Sequence, residues 1–268
     1  MAQIVSCINL KGGVGKTALA VNMAAYFGST GIKTLLIDLD PQTNATFSCV
    51  TVDKWKDHAR DRGTVADILG ARKHVNAQAK QKKISEVVLE NVFPNVDLIP
   101  SHLDLFTIDL DLASATAREF RLRKAIAEIG EKYQLIVCDC PPNLTIPTQN
   151  AIAASTHYVV PISADFLSSL GIGILLSRID QLCEDLAHNL ILAGVVISRV
   201  GRPAHHRSEI VTALRTQFPD NVLTSTISER VAVAEAASKQ ISVFQNTDPQ
   251  ATQEFKSVYM ELKNKIGV

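Results

Sequence analysis

The 268-residue chain has no net charge to speak of: 27 Lys and Arg stand against 27 Asp and Glu. That excludes a protein basic over its whole surface, while leaving room for a local basic face. Disulfide scaffolding is also missing. Five cysteines, an odd number scattered through a long chain, read as reduced thiols rather than a secreted framework. No run of about 20 uncharged apolar residues exists to span a bilayer; the best stretch, around 157–176, is broken by Asp165 and by Ser168-Ser169. The first ten residues lack the basic and apolar regions of a secretory signal. Neither an internal repeat nor a low-complexity linker is present. What remains is globular composition, 46% apolar and 20% charged. The expectation is a soluble cytoplasmic protein long enough to bury a sizeable core.

Short β-branched apolar runs alternate with longer helix-period segments. The runs Ile4–Asn9, Lys33–Asp38, Val96–Ile99, Leu135–Cys138, Tyr158–Pro161 and Leu190–Ile197 predict strands. Between them Lys16–Phe27, Phe120–Lys132, Thr145–Ala154, Leu167–Leu186 and Ser208–Phe218 predict helices. Strands apolar throughout are buried on both faces, and helices of this length make right-handed crossovers. The fold class expected is α/β, a doubly wound, mostly parallel sheet with helices on both faces. A single domain over residues 1–268 is expected, with a charged insertion at about 51–95. From Asp53 to Lys83 the insertion carries nine Lys or Arg against four Asp. It reads as a solvated excursion with helical pieces at Thr64–Leu69 and Ile84–Leu89; a partner or nucleic-acid surface is the other reading.

The sharpest signal is Leu10-Lys11-Gly12-Gly13-Val14-Gly15-Lys16-Thr17, directly after a strand and opening a helix. Consecutive glycines let backbone N–H groups close around phosphate oxygens, where side chains would clash. The helix N-terminus adds positive partial charge. Lys16 is then placed to reach β- and γ-phosphates, and the Thr17 hydroxyl to ligate Mg²⁺. ATP and Mg²⁺ are the implied ligands. A second segment, Leu135-Ile136-Val137-Cys138-Asp139-Cys140-Pro141-Pro142, is an apolar strand ending in a carboxylate suited to Mg²⁺, followed by a stiff loop suited to sensing the γ-phosphate.

The glycine motif departs from the general phosphate-loop pattern. Leu10 occupies the first glycine position, and an extra lysine, Lys11, stands beside it. This deviant form, with Leu35-Leu36-Ile37-Asp38-Leu39-Asp40-Pro41-Gln42 and Asp139-Cys140-Pro141-Pro142, resembles the ParA/MinD family of P-loop ATPases. Asn95–Ser101 and Ile227–Ala236 are also similar to segments of that family, so the resemblance covers nearly the whole chain. It implies an ATP-bound homodimer in which Lys11 reaches the partner's phosphates. It implies that Lys11, Gly12, Gly13, Val14, Gly15, Lys16 and Thr17 hold the nucleotide, and that Asp40 positions the attacking water. Thr17 and Asp139 are the implied metal residues. Asp38 is open between assisting at the metal and satisfying backbone at the strand end. The absence of a helix-turn-helix before the first strand is similar to the small ParA type. That type implies non-specific DNA, hydrolysis stimulated by a ParB-like partner, a nucleoid-associated location and segregation of a plasmid, chromosome region or cargo.

Other constellations are weaker. Arg199, Arg202 and Arg207 have no acidic residue between them, and with Arg230 they form the candidate DNA surface, the alternative being a solvated face. Phe255, Val258, Tyr259, Leu262 and Ile266 follow helical spacing. They suit packing on the domain, or, as in MinD relatives, a membrane surface; no stable membrane association is expected. Cys138 and Cys140 read as small buried thiols, and His205-His206 lacks companions at metal-ligand spacing.

Overall fold

Continuous apolar runs form the middle of an eight-stranded sheet. The computed structural model describes residues 2–71, 82–200 and 205–268, with residues 166–170, 199, 200 and 205–208 described by backbone only. The strands are β1 (Gln3–Cys7), β2 (Thr34–Asp38), β3 (Leu89–Phe93), β4 (Val96–Ile99), β5 (Leu135–Asp139), β6 (His157–Ser163), β7 (Ile191–Val200) and β8 (Val222–Ser228). Their spatial order is β3-β4-β2-β5-β1-β6-β7-β8, parallel throughout except for the β3–β4 pair. This is the doubly wound α/β fold that the strand–helix alternation predicts.

Residues along β5 divide between two cores, as the two-residue period of a strand requires. Leu135 and Val137 pack with the helices Lys16–Ser29 and Pro249–Ile266; Ile136 and Cys138 pack with Ile146–Ala154 and Phe166–Asp185 on the opposite face. Phe255, Val258, Tyr259, Leu262 and Ile266 are all buried in the first of these cores. The Tyr259 hydroxyl donates to the Leu19 carbonyl at 2.8 Å, locking the last helix onto the one that follows the glycine motif. The apolar stripe of the last helix therefore faces the sheet. No helix among the described residues is long and apolar enough to cross a membrane.

Two edge strands were not legible. β3 opens with Leu-Glu-Asn and is half exposed; β8 carries Thr-Ser-Thr at its centre. Edge strands tolerate polar residues because one side is not buried in the sheet. In β8 the free N–H groups are met by carboxylates of the last helix. Glu261 accepts from Thr224 and Ser225 at 2.9 and 2.7 Å, and Glu254 accepts from Ser228 at 2.8 Å. A bonded edge is protected against pairing with another chain.

The insertion is more ordered than its charge suggests. A helix at Val52–Asp61 precedes shorter ones at Val65–Leu69 and Ile84–Val87. Val65, Ile68, Leu69, Ile84 and Val87 are buried in the core, so the segment is not merely a solvated excursion. Residues 72–81, which hold three of its basic residues, lie outside the described set. The helix expected at Phe120–Lys132 is shorter, Arg121–Ile126, with a separate turn at Gly130–Lys132.

Candidate nucleotide site

The glycine motif spans the turn between β1 and the helix Lys16–Ser29. Gly13 and Gly15 have φ of 74° and 86°, the left-handed region that side-chain-bearing residues avoid. A Cβ on Gly12 would meet nothing within 4 Å, so the loop face there is open. Val14 is buried, and its carbonyl accepts a hydrogen bond from the Ser198 hydroxyl at the end of β7. Asn9 braces the other side, accepting from the Lys11 N–H at 2.9 Å and donating to the Pro161 carbonyl at 2.6 Å.

Lys16 lies almost wholly inside, and its ammonium donates to the Lys11 carbonyl at 3.0 Å. Burial lowers its pKa, opposed by Asp139 foremost among the nearby acidic groups. Lys11 differs in being half exposed, with its ammonium 2.8 Å from the Asp165 carboxylate. An exposed pair of this kind contributes at most ~1 kcal/mol.

Three carboxylates stand at or just beyond the C-terminal ends of the neighbouring strands β2 and β5 without forming a three-carboxylate metal cluster. Asp38 and Asp139 are register partners across β2 and β5, and Asp40 follows two residues later. Asp139 is fully buried, and neither of its oxygens completes a hydrogen bond among the described residues. Burial, then the nearby Asp38, pushes its pKa well up, while the neighbouring Thr17 hydroxyl favours the charged form. Such an orphaned buried carboxylate is costly unless something else satisfies it. Next to Thr17 and at the foot of a phosphate loop, it fits a hydrated divalent cation. Asp139 and Thr17 would hold Mg²⁺ there.

The role of Asp38, left open by the sequence, is now visible as a backbone organiser. One oxygen accepts from the Asp40 N–H at 3.1 Å; the other accepts from the Thr46 N–H and hydroxyl at 2.8 and 2.7 Å. Burial still pushes its pKa up to about 7, against those bonds. Asp40 is nearly buried, with one carboxylate oxygen accepting from the Gln42 N–H at 2.9 Å.

Of these groups Lys16, Thr17 and Asp40, with Gly12, Gly13 and Gly15, line a cleft of about 890 Å³; Asp38 and Asp139 are not among its lining residues. Ile227, Ser228, Val231, Val233 and Phe255 also line it. So does Arg230, whose guanidinium is engaged by Glu254 at 3.0 Å and Asp248 at 3.6 Å. Arg202 lies outside the described residues; Arg199 is placed at the end of β7 and Arg207 in the helix His205–Gln217, without their side chains. Cys138 and Cys140 are buried free thiols, and no cluster of three metal-binding side chains exists among the described residues. The side chains of His205 and His206 are not described.

A family model described as an AAA domain matches residues 2–192. The chain is 32% identical over 237 residues to the cell division protein PomZ of Myxococcus xanthus (strain DK1622), covering 88% of this chain and 70% of that one. It is 30% identical to the chromosome-partitioning ATPase Soj of Treponema pallidum (strain Nichols), covering 91% and 89%. This chain belongs to the ParA/MinD family of P-loop ATPases. Its fold matches that of apo McdA from Cyanothece with a TM-score of 0.81 at 22% identity, over 98% of this chain and all of the other.

In this ParA/MinD-family protein the raised carboxyls have a consequence for stability. Asp38 titrates near 7 when folded and near 4 in an unfolded chain. Between those values the folded state holds more protons, so this group's contribution declines as pH rises from about 4 to about 7. The nucleotide-free wild type should lose thermal stability across that window more steeply than Asp38→Asn, which mimics the protonated acid. Thermal unfolding at pH 5 and pH 8 checks this. A variant slope equal to the wild-type slope would show that Asp38 is not the group responsible.

Proposed function

We propose that this protein is a Mg²⁺-dependent ATPase of the ParA type, hydrolysing ATP to ADP and phosphate to position a plasmid, a chromosome region or a large cargo. The observation that carries the reading is the orphaned, fully buried Asp139 carboxylate next to Thr17, which with Lys16 and the loop glycines lines the cleft. Gly12 to Gly15 and the helix N-terminus would bind the phosphates through backbone N–H groups, and Lys16 would neutralise the β- and γ-oxygens. When bound, Mg²⁺ supplies charge neutralisation to the transferring phosphoryl group. Asp40 would orient the attacking water, its backbone fixed by Asp38.

Two copies would close face to face on ATP, and each Lys11 would leave Asp165 for the partner's phosphates. ATP then acts as a conformational ligand, with slow turnover keeping the dimer long-lived. The dimer would bind non-specific DNA in the nucleoid-associated cytoplasm, and a ParB-like partner would stimulate hydrolysis and release it. PomZ and Soj, whose names place them in cell division and chromosome partitioning, support a positional role. A single domain over residues 1–268 is part of this reading. The MinD-like alternative, cycling on a membrane, is disfavoured by burial of the last helix's apolar stripe.

Output is tested at the arginines. The combined Arg199→Ala, Arg202→Ala and Arg207→Ala variant should lose ATP-dependent retention on random DNA by about tenfold or more, while still dimerising. Wild-type affinity should fall steeply as salt rises, with little regard to sequence. Lys56→Ala, in the insertion, serves as the control and should bind normally. Retention by the triple variant would displace the surface; ATP-dependent pelleting of the wild type with anionic liposomes, without DNA binding, would install the membrane reading instead.

A further inference from the structure

Asp40 is held by more than its own strand. Its carbonyl accepts a hydrogen bond from the Ser101 hydroxyl at 2.7 Å, and Ser101 is fully buried just beyond the end of β4. The Ser101 N–H donates in turn to the Thr46 hydroxyl at 3.0 Å, which itself donates to Asp38. The Asp40 peptide is thus pinned at its N–H by Asp38 and at its carbonyl by Ser101. Both anchors meet in Thr46.

The third side of Ser101 belongs to the insertion. Trp55, the only tryptophan in the chain, lies in the helix Val52–Asp61 and donates its Nε1–H to the Ser101 carbonyl at 2.9 Å. Its ring stacks on His102 at 5.5 Å and meets the edge of Phe47 at 5.4 Å. Phe47 sits beside Thr46 in the short helix Asn44–Phe47. The insertion helix therefore grips both segments that fix Asp40, through one hydrogen bond and two ring contacts.

We propose that Ser101 is a positioning residue for Asp40, and that the insertion helix Val52–Asp61 is coupled to the hydrolytic step through Trp55. The inference rests on the ATPase reading above. Neither residue lines the nucleotide cleft, so neither should govern ATP affinity. Both set where the Asp40 backbone lies, and misplacing a catalytic group by about 1 Å can cost about 100-fold in rate. A segment rich in surface charge is thereby given a route to the water-orienting carboxylate.

Single-turnover hydrolysis by the full chain with ATP and Mg²⁺, alongside equilibrium binding of a fluorescent ATP analogue, provides the test. Ser101→Ala removes one hydrogen bond and should lower kcat about five- to tenfold with affinity unchanged within about twofold. Ser101→Thr keeps the hydroxyl and should restore most of the rate. Trp55→Phe keeps an aromatic ring but loses the Nε1–H, and should lower kcat about threefold, again without an affinity change. Wild-type kcat in folded Ser101→Ala overturns the positioning role, as does a loss of affinity that matches the loss of rate. Should Ser101→Ala fail to fold, Trp55→Phe decides: an unchanged kcat there overturns the coupling. A wild type that binds ATP without hydrolysing it fails earlier, overturning the ATPase reading and this inference with it.

Discussion

Replacing Lys16 by alanine should remove ATP binding while leaving the fold intact. Lys16 is the one lysine of the loop whose side chain is buried, its ammonium bonded to the Lys11 carbonyl, and it lines the cleft. Charge-assisted hydrogen bonds to phosphate are the strong kind, each contributing about 1.5–3 kcal/mol. Losing those to both the β- and γ-phosphates should weaken ATP by about 100-fold or more. The protein itself has little to lose. Burial disfavours the ammonium, as its lowered pKa records, and alanine is the better helix former at the first helical position. One backbone carbonyl loses a partner, a cost of about 1–2 kcal/mol. Titration with a fluorescent ATP analogue, with circular dichroism as the folding control, measures both halves. A folded Lys16→Ala protein with wild-type turnover would remove the ATPase assignment altogether.

The reason this residue could be named from sequence alone lies in how local its geometry is. A phosphate loop is a strand end, a run of glycines and a helix start within about eight residues, so spacing nearly determines structure. The same holds for Asp139, which ends a strand buried along its whole length. The central six strands were legible for the same reason: burial on both faces writes itself as an unbroken apolar run. Edge strands follow no such rule. β8, with Thr224, Ser225 and Thr226 in its middle, is stabilised by Glu254 and Glu261 from a helix some 30 residues later. Ile227–Ala236 stood out only as similar to a family segment; that it lines the cleft follows from the fold, because shape and apolar surface, not a spacing of polar groups, define that wall. Arg230 illustrates the limit: its ion-pair partners Asp248 and Glu254 lie too far along the chain for spacing to reveal them.

Asp40→Ala should separate binding from hydrolysis, the opposite pattern to Lys16→Ala. The phosphate contacts proposed for the loop do not involve Asp40, so ATP should bind with near wild-type affinity. The backbone of residue 40 should also stay in place, since Asp38 and Ser101 grip its N–H and carbonyl rather than its side chain. Among the described residues, only the bond from the Gln42 N–H is lost with the carboxylate. What disappears is the group that orients water, and such groups contribute about 10²- to 10⁴-fold in rate. Hydrolysis is the event that ends the ATP-bound state, so its loss should lengthen that state by the same factor. Each Lys11 would then stay on the partner's phosphates, because an exposed pair with Asp165 offers little competition. Size-exclusion chromatography with light scattering should show a dimer that persists through the column with ATP and Mg²⁺ in the variant, where wild type dissociates. It should also be absent from the combined Lys16→Ala, Asp40→Ala protein, since a dimer held by ATP cannot form without ATP. Wild-type hydrolysis in Asp40→Ala would transfer the water-orienting role to Asp38, the only other carboxylate at the end of β2.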